Sequence, residues 1–420
     1  MKAENNKSRV TTQDLICDKD TIEVSVFTSF EDLMPMQEAW DVFMESVEAE
    51  IFLTYDWCRI WWKYYGKKRE LSIFIFRYKQ DIVAILPLFF EKIWLGPLNA
   101  SVVKIVGTDY MPVTITVPIK QDFMNQVIEL LIKELQVIKW CWDMMYVGAI
   151  AGKYQLMDQL VNAFKIALED SYNIDVRSRE VQTYFQVADT WEHQVADLPS
   201  TQRRNVNRTY RAIGDQGILI RSSVATVDSL TQMFSAFVQM HQAKWQKIGK
   251  PGHFGAWPSS EDFHSEVARA QLEHDRLRLL EIKFNEQTVG FEYLYKLDTV
   301  YTWFLNARME FKLSSKMDYK WVSFHEAITS AIIANIKCID AMRGRYDYKL
   351  LMGGKYYPIN DLFIHPKKLS ASIRVNLFRS AVWILNMLYS KIWRARFAPK
   401  FGFRPKAYWD KWIRFHPLFW

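Results

Sequence analysis

Apolar and polar residues follow a recurring order along the chain. Ile22, Val24 and Val26 occupy every second position from Thr21 to Thr28, the period of a half-buried strand. Ser29, then Glu31 and Asp32, marks a helix start, because a short polar cap and early acids suit the unpaired first-turn amides. Trp57, Ile60, Trp61 and Tyr64 recur at helical spacing. Leu71 to Arg77 and Ile82 to Phe90 read as strands joined by the turn Tyr78-Lys79-Gln80-Asp81. An amphipathic helix from Phe123 to Ile138 and a short strand from Asp143 to Val147 follow.

A similar order returns downstream. The pattern predicts a strand at Gly217–Arg221, helices at Val227–Lys247 and Glu261–His274, and strands at Leu277–Phe284 and Val289–Tyr295 joined around Asn285-Glu286. A third strand spans Val300–Leu305. A helix spans Ser314–Asn335, capped by Ser314 or Ser315, with Trp321, Phe324, Ile328 and Ile332 as its apolar stripe. Cys338–Met342 and Tyr357–His365 read as the last strands, with Gly353-Gly354 as a breaker between them. KQDIVAILPLF (79–89) and NEQTVGFEYLY (285–295) share one pattern, so the two halves look like one plan used twice.

A length of 420 residues fits two domains better than one core, and the 50% hydrophobic and 24% charged content is globular. Cys17, Cys58, Cys141 and Cys338 are scattered without a CxxC pair, which argues for free thiols. The start of the chain lacks the apolar core of a secretory signal, and no run approaches the ~18 apolar residues of a membrane span. The net charge of +7 is uneven: Ser370 to Trp420 carries ten Lys and Arg against Asp410 alone, leaving the rest slightly acidic.

The expected class is therefore α+β. Tandem domains each hold a mixed, mostly antiparallel sheet flanked by helices, and a helical tail follows. The expected boundaries are a disordered leader at 1–20, a degenerate first domain at 21–180, a second domain at 181–369, and a basic aromatic tail at 370–420.

Strand, two helices, three antiparallel strands, helix, strand is the order of the GNAT acyltransferases, and the resemblance extends to sequence. LTYDWCRIWWKYYG (53–66) with VAILPLFF (83–90), RRNVNRTYRAIGDQG (203–217), HQAKWQKIGKPGHF (241–254) and DAMRGRYDYK (340–349) resemble the CelD/BcsL-like acetyltransferases associated with cellulose and exopolysaccharide synthesis. The same two-domain plan resembles the Fem-type aminoacyl transferases of cell-wall synthesis. These resemblances imply a transferase in the second half, with acetyl-CoA or another acyl-CoA as co-substrate and a sugar or amine as acceptor. A Fem-like transferase using charged tRNA, or a silent module beside a polysaccharide synthase, are the alternatives.

The sequence lacks GxxxxGK[ST], GxSxG and HExxH, and has no GxGxxG after a strand. No metal site is expected from eight dispersed histidines, and no DNA partner. An acyltransferase of this kind needs amides aimed at a pyrophosphate, a gap between strands for the pantetheine arm, and a base. Ser314, Ser315 and Lys316 at a helix start, with Arg308 and Lys312, are the candidates for the first; the family usually shows Ser-Pro-Gly here. His241 and Trp245 share a helix face. His241 is a candidate base or a satisfied helix histidine, and Trp245 a sugar-stacking ring or core. Asp340 and Arg343 are read as an ion pair at a strand end, with Tyr348 protonating the leaving thiolate and Lys349 holding an anion; a salt-bridged loop is the alternative. Glu292, a lone acid in an apolar strand, is a base if it faces a cleft and inert if it faces water. Arg204, Arg208 and Arg211 share a face that suits an anionic substrate or plain solvation.

The tail helix from Ile373 to Phe397 is apolar around most of its girth, with Arg379, Asn386, Ser390 and Arg394 as a polar stripe. Contact with an anionic membrane surface or a synthase complex is expected there, with packing on the enzyme body or a partner protein as the alternative. The expected location is the cytoplasm, peripheral to the inner face of the membrane.

Overall fold

A computed structural model describes residues 21–401, apart from 96, 110–112, 138–141, 153–155, 249–251, 256, 310–316 and 399. The proposed leader and residues 402–420 lie outside the described residues. Two units emerge: residues 21–179 with 358–397, and residues 180–357 with 398–401.

The elements of the first half are β1 (Ile22–Phe27), α1 (Gln37–Ser46), α2 (Tyr55–Tyr65), β2 (Glu70–Tyr78), β3 (Asp81–Leu95), β4 (Leu98–Ile105), α3 (Met124–Val137), β5 (Met144–Ala151) and α4 (Leu156–Leu168). After β6 (Tyr172–Gln186), α5 (Trp191–Ala196) and α6 (Ser200–Asp215), the order repeats. It runs β7 (Ile220–Val224), α7 (Leu230–Lys247), α8 (Ser260–Glu273), β8 (Leu277–Phe284), β9 (Gln287–Leu297), β10 (Val300–Arg308), α9 (Tyr319–Ile333), β11 (Cys338–Arg343) and α10 (Asp347–Leu351). β12 (Lys355–Pro366) and α11 (Leu369–Met387) complete it.

The first unit orders its strands β1-β2-β3-β4-β5-β12, and the second β7-β8-β9-β10-β11-β6. In both, the fourth and fifth strands run parallel. The other described pairs within each unit are antiparallel. β2 and the middle of β3 are buried on both faces, which explains why IFIF and AILPLFF read as unbroken apolar runs rather than alternating ones. β4, α4 and β6 escaped the sequence pattern. β6 reads YNIDVRSREVQTYFQ, whose first half is polar and only partly covered.

The closing strand of the first sheet comes from far downstream in the sequence, whereas that of the second directly precedes its own copy of the plan. β12 pairs with β5 from Ile359↔Ala151 to Ile364↔Met145, and β6 pairs with β11 from Cys338↔Gln186 to Arg343↔Gln182. Residues 358–397 thus belong to the first unit, where the sequence pattern had placed 358–369 with the second half and 370–420 by itself. Tyr146 donates its hydroxyl to Asp361 Oδ1 (2.8 Å), which ties this return strand to β5.

Packing corrects the expected tail helix in a further way. Val375 and Phe378 are fully buried against Ala100, Val102, Tyr146 and Phe363. Arg379, expected on a polar stripe, is 8% exposed, with its guanidinium over the Phe363 ring (4.8 Å) and its Nη1 donating to Asp175 (3.3 Å). The helix was read as polar at Arg379 because the acid that receives it lies about two hundred residues away in sequence.

In the first unit, β4 and β5 pair only at Val102↔Met144 and Val103↔Met145 before they part. The chain itself occupies the gap. Ile115 bridges Ile150 in parallel, its N–H donating to Ala149 O (2.8 Å), while Ile119 bridges Ala84 on β3. Beside it lies an apolar cavity of about 20 Å³ lined by Val103, Ile105, Val117 and Met145, room for about one water.

Phe378→Ala is expected to cost about 3–5 kcal/mol, the usual loss for an aromatic deleted from a core, while neighbouring exposed Leu377→Ala stays within about 0.5 kcal/mol. Urea unfolding of the two variants checks this, and similar losses would place the helix differently.

Candidate active site

The second unit parts its parallel strands in the same position. β10 and β11 pair at Val300↔Cys338, Tyr301↔Ile339 and Thr302↔Asp340, and no further. Among the described residues, no backbone bridge crosses between them beyond that point. A bulge between Trp303 and Leu305 accompanies the parting. The extra residue resets alternation, so Trp303, opposite Leu294, and Asn306, opposite Glu292, share one face of the sheet.

On that face lies Glu292, which is fully buried. Trp303 Nε1–H donates to its Oε2 (2.9 Å) and the Ser323 hydroxyl to its Oε1 (2.5 Å). Burial drives its pKa up to about 8; the bonds from Ser323 and Trp303, and the nearby Tyr319 hydroxyl, pull the other way. The Tyr319 hydroxyl is itself buried and lacks a well-aligned partner. Gly290 makes room for it: a Cβ there would stand 1.8 Å from Tyr319 Oη. Tyr319 and Ser323 lie one turn apart on α9, so one helix face aims both at the acid. Arg308, exposed at the end of β10, lies near enough to oppose the rise in pKa of Tyr319 and of half-exposed Tyr348, which also feels Glu292.

Glu292, Trp303, Ser323, Tyr319, Arg308 and Tyr348 therefore form one neighbourhood. Sequence reasoning named three of them. Trp303, Ser323 and Tyr319 were missed, though the i, i+4 spacing of Tyr319 and Ser323 was available as a signal.

Other expected site residues fall elsewhere. Phe291, Tyr293 and Tyr295 point to the opposite face, where Phe237 of α7 packs on Phe291 and Tyr293. His241 belongs to that side, so it and Glu292 are separated by the sheet. Its Nδ1–H donates to Asn306 O (2.9 Å), which leaves Nε2 as the lone-pair nitrogen, buried and unpartnered. Trp245 is partly buried beside it, ring centroids 6.2 Å apart. Asp340 accepts from Gln182 Nε2 and from the amide of Met342 (2.8 Å), which holds Met342 at a left-handed φ of +62°. Arg343 is partly buried just beyond. Lys349 turns inward: its ammonium donates to the carbonyls of Ala341 (2.7 Å) and Met342 (3.4 Å), and burial lowers its pKa to about 8. Arg204 and Arg208 are exposed on α6.

The helix start departs from expectation. α9 begins at Tyr319 and is capped by Asp318, whose carboxylate accepts the amide of Lys320 (3.2 Å). Asp318 wins because its β-region backbone lets the side chain reach that amide. Lys312, Ser314, Ser315 and Lys316 lie outside the described residues.

On the α7 face, His253 Nε2 and His264 Nε2 stand 2.9 Å apart, packed with Phe254, Trp257 and Phe304. Burial lowers the pKa of both, His264 to about 3, and lowers His241 as well. Imidazoles that fold neutral stabilise the protein above their ordinary pKa and lose that stabilisation as pH falls below it. Glu292 acts oppositely, since its raised pKa favours the folded state at lower pH.

Residues 200–350 match the family model described as an acetyltransferase (GNAT) domain. No curated protein matches. Among solved structures, FemX is 8% identical, covering 77% of this chain and 95% of its own, with a TM-score of 0.53. L-PGS from Bacillus licheniformis is 10% identical (80% and 95% covered, TM-score 0.46), and a tandem GNAT protein from the clavulanic acid biosynthesis pathway 9% (82% and 98%, 0.40). The second unit is an acyltransferase domain of the GNAT kind.

Three neutral imidazoles against one raised carboxyl predict a net loss of stability as pH falls from 6.5 to 5. Urea unfolding across that range measures it, and a flat profile would mean the histidines titrate freely.

Proposed function

We propose that the second unit moves an acyl group from acyl-CoA to an amine or hydroxyl of a small or glycan acceptor, with Glu292 taking the proton. The observation that carries this reading is a fully buried carboxyl, held by Trp303 and Ser323 on the strand next to the parting of β10 and β11, whose pKa burial pushes up to about 8. A base poised near the working pH combines an accessible charged form with useful basicity.

The acceptor nitrogen or oxygen attacks the thioester carbonyl; a new C–N or C–O bond forms and the C–S bond breaks. Glu292 receives the acceptor's proton, and Tyr348, half-exposed beside it, supplies one to the departing thiolate. Trp303 and Ser323 hold both carboxyl oxygens in place. Arg308 stands at the end of β10, where it can meet a donor phosphate. GNAT domains use acyl-CoA as co-substrate, and the CelD/BcsL resemblance supports an envelope-polysaccharide acceptor and a cytoplasmic site of action.

Asp318 favours a second reading. Its carboxylate occupies the first-turn amide of α9 and brings negative charge to the end of the helix where a pyrophosphate would otherwise gain from the dipole. A Fem-like donor, aminoacyl-tRNA, makes no demand on that amide, and exposed Arg204, Arg208 and Arg211 on α6 offer a strip for its phosphates. A silent accessory module is the third reading. Calorimetric binding of acetyl-CoA separates the first from the others.

With an active acceptor in hand, kcat/KM is expected to rise with pH through about 8 as Glu292 loses its proton. Glu292→Gln should lower kcat by about 10²–10⁴-fold and remove that rise. A variant that keeps the wild-type profile would move the base elsewhere, with His241 next in line.

A further inference from the structure

α11 has two apolar faces, and among the described residues only one is covered. Ala371, Val375 and Phe378 pack inward. At about 100° per residue, Leu369, Ile373, Leu377, Ile384 and Leu388 fall within about 100° of arc on the opposite side. Their exposures are 74%, 50%, 54%, 45% and 43%, and Trp383 flanks them at 58%. The row continues through the wider helical turns of Leu388–Phe397, where Ile392, Trp393 and Phe397 are also exposed. Single exposed apolar side chains are ordinary, but a continuous row of aliphatics is not.

Charge decides what covers it. Residues 362–409 contain ten Lys and Arg and no Asp or Glu. Lys367, Arg374 and Arg379 meet Asp170, Asp143 and Asp175 of the same unit. A second copy of this chain would bring the same positive segment against itself, and like charges repel. An anionic bilayer surface supplies the opposite charge together with an apolar layer for the aliphatic row, and tryptophans flank such faces at headgroup depth. Among the described residues, no helix is long and apolar enough to cross a membrane, so contact through α11 would lie in the surface plane.

We propose that the outer face of α11 seats the first unit on an anionic lipid leaflet. This surface is independent of the transfer chemistry assigned to the second unit. The test uses the full chain with vesicles of phosphatidylcholine alone or with about one-third phosphatidylglycerol. Sedimentation is expected to show at least about tenfold tighter binding to the anionic vesicles. The double variant Leu377→Glu with Ile384→Glu should bind about tenfold more weakly, with an unchanged melting temperature because both side chains are exposed. Binding by the double variant equal to wild type would overturn the proposal. So would absence of binding to anionic vesicles, or a lipid-free dimer in analytical ultracentrifugation that the double variant abolishes. Acyl transfer to a soluble acceptor reads the chemistry separately.

Discussion

Two parallel strands that stop pairing leave backbone amides and carbonyls facing a gap, and buried groups of that kind need partners. The rest of each unit is arranged around this need. The first unit answers with main chain: the segment around Ile115 bonds to Ala149 on one side, and its continuation at Ile119 bridges β3 on the other. The second answers with side chains. Asp340 takes the amide of Met342, and Lys349 covers the carbonyls of Ala341 and Met342. One copy has thereby closed its gap with peptide, while the other has fixed the edge of β11 and, on β10, given the Asn306 carbonyl to His241.

The chemistry of the second unit follows from what the bulge does to β10. By resetting alternation it brings Trp303 onto the face of Glu292, and the indole then helps to hold an acid that burial would otherwise keep wholly protonated. The opposing face is a different environment, dense in aromatic rings and neutral imidazoles. His241 touches both worlds through a single bond to the Asn306 carbonyl, a backbone group of the bulged strand.

Much of this fold was legible in the sequence. Strand–turn–strand patterns around Lys79-Gln80 and Asn285-Glu286 and the long stripes of α7 and α9 marked both copies of the plan. What stayed hidden has physical reasons. β6 is polar along its first half, so periodicity could not see it. The cap of α9 was expected at Ser314 or Ser315, which lie outside the described residues; Asp318, further along, caps the helix that is described. Lys349 read as a ligand for anions because a sequence shows its charge and not the two carbonyls beneath it. Glu292 stood out as an acid among apolar neighbours, yet alternation alone could not say which face it took, since β9 is buried on both.

The late arrival of β12 bears on how the molecule is made. β5 emerges from the ribosome more than two hundred residues before β12, its partner at the sheet edge. At about 5–20 residues per second, the first sheet waits on the order of 10–40 s with that edge bare. During synthesis it is therefore an open template for foreign strands, and chaperone capture or a rapid translation rate past residue 366 would govern yield more than final stability does.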